Sequence, residues 1–418
     1  MAPGVSEGSQ ALNPSSESAR LSVSLPSGPP FHKSYDSGSF SLPSDFTNET
    51  TSGSHDGKED KILVIPDLFS SIMAVEPVVN PNYFKVKSKG DAWIQWVMGK
   101  DRDWGQKNSR VDFCYMNSIW APYADEDALR MGLDWQQWIF HLDDQFDEGH
   151  LKWDLAAAED EIEAHMAIMT DTHRPLRMED NRIRWIFQLC WVRLKNRCGP
   201  ELQQRWRDMH RRYFDGLIDQ VKQTSNGQTS APSVHEYMDM RRRTIGVYPA
   251  ITLAEYSHNV KVPSHVFEHP SIQDFMLNTA DMILLQVIFS FSVKAQGVDH
   301  NLITIIQKQG GTAQDGLDKI GQMLNDCYKR WYETLANMPI WGEVIDREVL
   351  RFVDCCRNAA LGNIHWSFKT GRYLEAEGVA VRETRALHIP AEALRGDCSD
   401  EMANLYKLED EAVHVDPV

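Results

Sequence analysis

Residues 133–151 read LDWQQWIFHLDDQFDEGHL, and the fold is decided by how they are placed. With a helical period, Trp135, Trp138, Ile139, Leu142 and Phe146 fall on one apolar stripe at i, i+3, i+4, i+7 and i+11. Phe140, Asp143 and Asp147 border that stripe. Two acids one turn apart beside a buried face point towards an interior, where an unpaired carboxylate is costly and calls for a cation. No Lys or Arg lies within one turn of these two acids. Oxygen ligands at this spacing suit Mg²⁺ shared with a phosphate group. Asp144 and Glu148 complete the cluster. A DDxxD run standing alone is more often a solvated helix end, so the assignment needs support from the rest of the chain.

The chain has 418 residues, 42% of them hydrophobic, enough to bury one large core or two modest ones. Its net charge of −17 repels nucleic acid and anionic membranes, so an anionic substrate must be held by local positive charge or metal. Seven cysteines without a CxxC pair are expected to be reduced, structural thiols. The opening MAPGVSEGSQ has neither the basic start nor the apolar core of a signal peptide. The longest near-apolar run, Met282 to Val293, is broken by Gln286 and is too short to span a bilayer. These features predict a cytoplasmic protein with no transmembrane segment, compatible with a monomer or a homodimer.

Residues 1–60 are rich in Ser, Gly and Pro and poor in bulky aliphatics, and are expected to be disordered. From residue 61 to about 376 the apolar residues recur every three to four positions, which predicts an all-α domain. Breaks are expected at NPNYF, KSKGD, WAPYADED, THRPLRMEDN, TSNGQTSAPS, NVKVPSHVFEHPS and QKQGGTAQDG. Strand signals are scarce. Residues 377–418 lose the helical rhythm and are expected to form a loose or surface-wrapping tail.

Two further stretches carry chemistry. Met240 to Tyr256, MRRRTIGVYPAITLAEY, sets three arginines before an apolar segment in an acidic protein. Guanidinium grips phosphate oxygens bidentately, although in isolation one of these arginines would be expected to pair with an acid such as Asp239. Gly362 to Leu374, GNIHWSFKTGRYL, places Asn363 and Trp366 one turn apart, with Arg372 and Tyr373 following. A guanidinium and a phenol can hold a phosphate oxygen from two sides, and an indole face can stabilise a cation.

The DDQFDE cluster, the RRRTIG segment, GVDHN at Gly297 to Asn301 and the NxxW…RY ending stand in the order and at the intervals of fungal class I terpene cyclases, which the chain resembles. The resemblance spans about residues 62–376. It implies the class I terpenoid synthase helical fold around a central cavity, and a lyase that ionises and cyclises farnesyl diphosphate to a polycyclic sesquiterpene hydrocarbon or alcohol. Up to three Mg²⁺ ions would bind with the substrate's diphosphate. Carried over, Asp143 is the principal metal ligand, supported by Asp144 and Asp147. Arg242, four residues before Gly246, is the diphosphate sensor, and Arg372 with Tyr373 closes on the diphosphate. Phe140, Asn363 and Trp366 line the cyclisation pocket. A chain-elongating prenyltransferase would need two facing Asp-rich motifs, and only one is present.

The second metal motif departs from the family pattern. Aligned on its serine, ADMILLQVIFSFSVKAQGVDHN puts Gln286, Ser290 and Lys294 at the ligand positions. Glutamine and serine still offer oxygens, but a protonated lysine cannot ligate Mg²⁺. In an active enzyme Lys294 would instead meet the diphosphate directly. The altered motif also fits an inactive relative of the family, or a sequence misread at this one place. Asn325, Asp326, Lys329 and Glu333 mimic the spacing downstream and are read as a surface helix face.

Overall fold

The computed structural model describes residues 61–225, 233–289 and 301–389. Their helices, numbered here in order, begin with α1 (Tyr83–Met98), α2 (Arg102–Val111), α3 (Phe113–Trp120), α4 (Glu126–Asp147) and α5 (Leu155–Met169). There follow α6 (Arg182–Arg197), α7 (Pro200–Ser225), α8 (Val234–Thr244), α9 (Val247–His258) and the single turn α10 (Ser264–Phe267). The last group is α11 (Pro270–Gln286), α12 (Leu302–Lys308), α13 (Ala313–Ala336), α14 (Glu343–Lys369) and α15 (Gly378–Thr384). The expected all-α class is therefore correct. One two-stranded antiparallel ribbon joins the two ends of the described chain: β1 (Lys61–Val64) pairs with β2 (Ala386–Ile389), Lys61 opposite Ile389.

α4 carries the acidic run. Asp125 caps it by accepting from the Ala128 amide at 2.8 Å, and Glu126 and Asp127 complement the positive end of its dipole. The apolar stripe read from sequence is buried throughout: Trp135, Trp138, Ile139, Leu142 and Phe146. It meets α6 and α7 in a core that includes Phe187, Trp206 and Phe214. A second core forms where α11, α13 and α14 meet around Phe275, Trp331 and Phe352. Tyr115 and Tyr373 pack against both.

The first core is stitched by two tryptophan–histidine pairs. The Trp135 indole donates to His210 Nε2 and the Trp138 indole to His165 Nε2, both at 3.0 Å. An indole N–H only donates, so each Nε2 accepts and the ring proton sits on Nδ1, facing the Trp206 carbonyl at 2.8 Å and the Glu161 carbonyl at 2.9 Å. Both imidazoles are thereby held neutral.

Some boundaries differ from those read in the sequence. KSKGD does not break the chain; it lies inside α1, where Gly90 lets Leu133 of α4 approach. Breaks not foreseen occur at Asp112 (φ 56°) and at Gly246 (φ 71°). The helical rhythm is lost near 376, but the chain stays packed through α15 and β2, with Val381, Leu387 and Ile389 buried. Of the two forms expected for the tail, loose or surface-wrapping, residues 378–389 take the second, their apolar side chains returning to the domain. The 1–60 segment and residues 390–418 lie outside the described residues. Among the described residues no helix is long and apolar enough to cross a membrane.

Candidate active site

The acidic motif forms the C-terminal end of α4, where exposed carbonyls add negative potential that favours a cation. Asp143, Asp144 and Asp147 are half-buried there, and Glu148 is exposed. Two of the three aspartates are held from α7. Tyr213 donates its hydroxyl to Asp143 Oδ1 at 3.1 Å, and Gln220 donates its amide to Asp147 Oδ1 at 2.9 Å. Burial, with Asp143 adding to it, pushes the Tyr213 phenol well above its usual range, so it remains a donor.

Asp144 faces the other end of the chain. Arg372 Nη2 lies 3.5 Å from its Oδ1. Burial opposes charge on this guanidinium, but Asp144, Tyr373, Glu148 and Asp143 more than offset that and keep it protonated. The same guanidinium lies 5.4 Å from the Phe140 ring centroid. Phe140 stacks on Phe113 at 4.3 Å, both rings lie 5.9 Å from Trp366, and Tyr373 meets Trp366 edge-on at 5.5 Å. Trp366 and Thr370 both donate to the Val111 carbonyl, at 2.6 and 2.7 Å, which ties the end of α14 to the end of α2. Phe140, Trp366, Arg372 and Tyr373, expected from sequence, thus stand together beside the aspartates.

The arginine triplet closes α8, whose C-terminal end favours positive charge. Arg242 is fully engaged: Nε and Nη2 donate to Asp281 of α11 at 2.6 and 3.1 Å, and Nη1 donates to Asp239 at 2.6 Å. Arg330 of α13 also reaches Asp281, at 3.3 Å. Arg241 instead lies among the site acids. Burial opposes its charge, and Tyr237, Asp147, Asp143 and Tyr213 hold it protonated. Its Nε is buried without a hydrogen-bond partner among the described residues, while Nη1 donates to Thr244 at 3.2 Å. Gly246 then turns the chain into α9; a side chain there would be strained at its positive φ and would strike Ile139 of α4 at 2.7 Å.

Of the second metal motif, Gln286 is the last residue of α11 and fully buried. Its Oε1 accepts from Asn363 at 3.3 Å, and its Nε2 has no partner among the described residues. Ser290 and Lys294 lie outside the described residues. Asn325, Asp326, Lys329 and Glu333 are exposed on α13, the surface face expected of them.

Asp143, Asp144 and Asp147 present hard carboxylate oxygens at the negative end of a helix, a donor set that fits Mg²⁺. Among the described residues no three His, Cys, Asp or Glu side chains converge as a group that could hold a metal. An ion here would complete its shell with diphosphate oxygens and water, as Mg²⁺ ordinarily does. Tyr213, Gln220, Arg241 and Phe113 were not foreseen. Nothing in RRR tells which arginine turns inward, and Tyr213 and Gln220 carried only a shared spacing of seven.

The helical architecture, with an acid-tipped helix and an aromatic wall beside an arginine, is that of the class I terpenoid synthase fold. Residues 134–330 match the family model described as terpene synthase family 2, C-terminal metal binding. The chain is 44% identical over 329 residues to (+)-eremophilene synthase of Gibberella fujikuroi, covering 78% of this chain and 92% of that one. It is 38% identical over 351 residues to an inactive (1R,4R,5S)-(−)-guaia-6,10(14)-diene synthase of the same organism, covering 80% and 87% respectively. The crystal structure of an α-eudesmol synthase shares the fold, with a TM-score of 0.63 at 19% identity over 71% of this chain and 98% of that one. The chain belongs to the fungal class I sesquiterpene synthase family.

Proposed function

We propose that the protein is a Mg²⁺-dependent sesquiterpene synthase that ionises farnesyl diphosphate, cyclises the resulting cation and releases diphosphate. The observation that carries this reading is the meeting of the α4 aspartates with Arg372 next to the Phe113, Phe140 and Trp366 rings. When bound, Mg²⁺ would be held by Asp143, Asp144 and Asp147, with Gln286 and Ser290 as the second motif's oxygen donors, and would supply Lewis-acid neutralisation of the leaving group. Lys294 would present a cation to the diphosphate where the family presents a carboxylate. Arg372 and Tyr373 donate to its oxygens, and Arg241 and Arg242 add positive charge from α8. The allylic C–O bond breaks with its electron pair going to the diphosphate. The carbocation meets aromatic faces and no protein nucleophile, and its folding follows the pocket contour. Loss of a proton gives a hydrocarbon; capture of a single admitted water, with loss of one of its protons, gives an alcohol. The DDQFDEGHL, RRRTIGVYPAI and WSFKTGRYL segments resemble those of presilphiperfolan-8β-ol synthase, so a presilphiperfolanol-like polycyclic hydrocarbon or alcohol is the proposed product.

A second reading has specific support. Gln286 stands where the family carries a metal-ligating asparagine, its carbonyl is taken by Asn363, and a relative described as inactive aligns over most of the chain. On that reading the protein binds isoprenoid diphosphate without turning it over. Incubation with farnesyl diphosphate and Mg²⁺ followed by volatile analysis separates the two. A sesquiterpene that disappears in Asp143→Asn supports the first, and calorimetric diphosphate binding without product supports the second. Unchanged product from Asp143→Asn overturns the metal assignment.

A further inference from the structure

We propose that one face of α7, carrying Tyr213 and Gln220, is a splint that sets the position and rotamers of Asp143 and Asp147 for metal binding. The inference rests on the metal-site reading above. Contacts from α4 to α7 advance in the same sense along both helices: Trp135 to His210, Asp143 to Tyr213, Asp147 to Gln220. The two helices therefore run parallel there in a fixed register, and the deepest rung is locked because His210 is also tied to the Trp206 carbonyl at 2.8 Å. Tyr213 is 1% exposed and Gln220 5%, so neither donor has rotamers to spare.

The nature of these donors separates a structural acid from a working one on the same helix. Asp134, 1% exposed, is gripped by Arg130 at 2.8 Å and Arg193 at 2.7 Å, and two guanidinium charges offset its own. Asp143 and Asp147 receive from α7 a phenol and a carboxamide, each of which donates one hydrogen and brings no charge. A neutral donor fixes a carboxylate's plane without adding a charge of its own. Tyr213 and Gln220 are thus positioning residues, acting through the ligands they orient.

Binding of Mn²⁺ in the presence of inorganic diphosphate, followed by electron paramagnetic resonance on the full chain, tests this without requiring turnover. Tyr213→Phe and Gln220→Leu are expected to weaken Mn²⁺ binding about 10-fold while the melting temperature is retained. If the enzyme is active, the same variants should need more Mg²⁺ for half-maximal rate and regain the parent kcat at saturating metal, whereas Asp143→Asn should not. Parent-like Mn²⁺ affinity in both α7 variants, alongside its loss in Asp143→Asn, overturns the splint and leaves the metal site standing. Parent-like affinity in Asp143→Asn overturns the metal site and the splint together. Tyr213→Phe keeps the buried ring, so its result stands even where Gln220→Leu unfolds.

Discussion

His210 accepts an indole hydrogen on one nitrogen and donates to a carbonyl with the other, leaving no place for a second proton. Burial accordingly lowers its pKa from the ordinary 6.5 to about 3. Its folded value lies below the unfolded one, so its contribution is complete above pH 6.5 and is lost as pH falls towards 3, at about 1.4 kcal/mol per unit. The melting temperature should fall over that window, and a neutral His210→Gln variant should flatten the slope measured by thermal scans at stepped pH. At the site, Arg372→Ala should lower kcat by about 10²–10³, the usual loss of one preorganised charge donor, with the fold intact by circular dichroism. The residues of the candidate site stood out in the sequence because acid, arginine and aromatic types are scarce in combination. Which arginine of Arg241 and Arg242 turns inward was not legible: neighbouring residues diverge by about 100° around a helix, and only the packed position of α8 against α11 fixes the phase.

Helices were read from their periodic apolar faces, and that sufficed for α4, whose stripe has no competing signal. Glycine misled, because it marks a turn in one place and a close approach in another. Gly90 admits Leu133, and Gly362 of α14 admits Trp120 of α3. The two sites should respond differently to alanine. At Gly362 the added carbon would lie 2.4 Å from the Trp120 ring and 3.0 Å from the Met116 carbonyl, neither able to retreat. Gly362→Ala should cost about 1–3 kcal/mol by overpacking, read from denaturant midpoints. At Gly90 the nearest atom is the terminal methyl of Leu133 at 2.2 Å, which can rotate. There the gain in helix propensity, about 1 kcal/mol, offsets part of the strain, and Gly90→Ala should be the milder variant.

The whole domain is closed by pairing its first and last described segments, β1 and β2, a contact no local pattern announces because each strand is four residues long. Ending the chain at Glu377 removes α15 and β2 and strips cover from Leu63 and Ile65, so the truncated protein should melt earlier and bind a hydrophobic dye. At this scale the disposition of charge matters as well. The molecule carries 17 more negative than positive charges, and three of its guanidinium groups are already matched: Arg242 by Asp281 and Asp239, Arg372 by Asp144, Arg243 by Asp219. A bare orthophosphate would be repelled at a distance by the net negative charge and would have to displace a resident carboxylate on contact. If the proposed function holds, an anion that travels with its own divalent counter-ions would satisfy the displaced acids as it docks, so the resting charge pattern would favour metal chelates over naked anions.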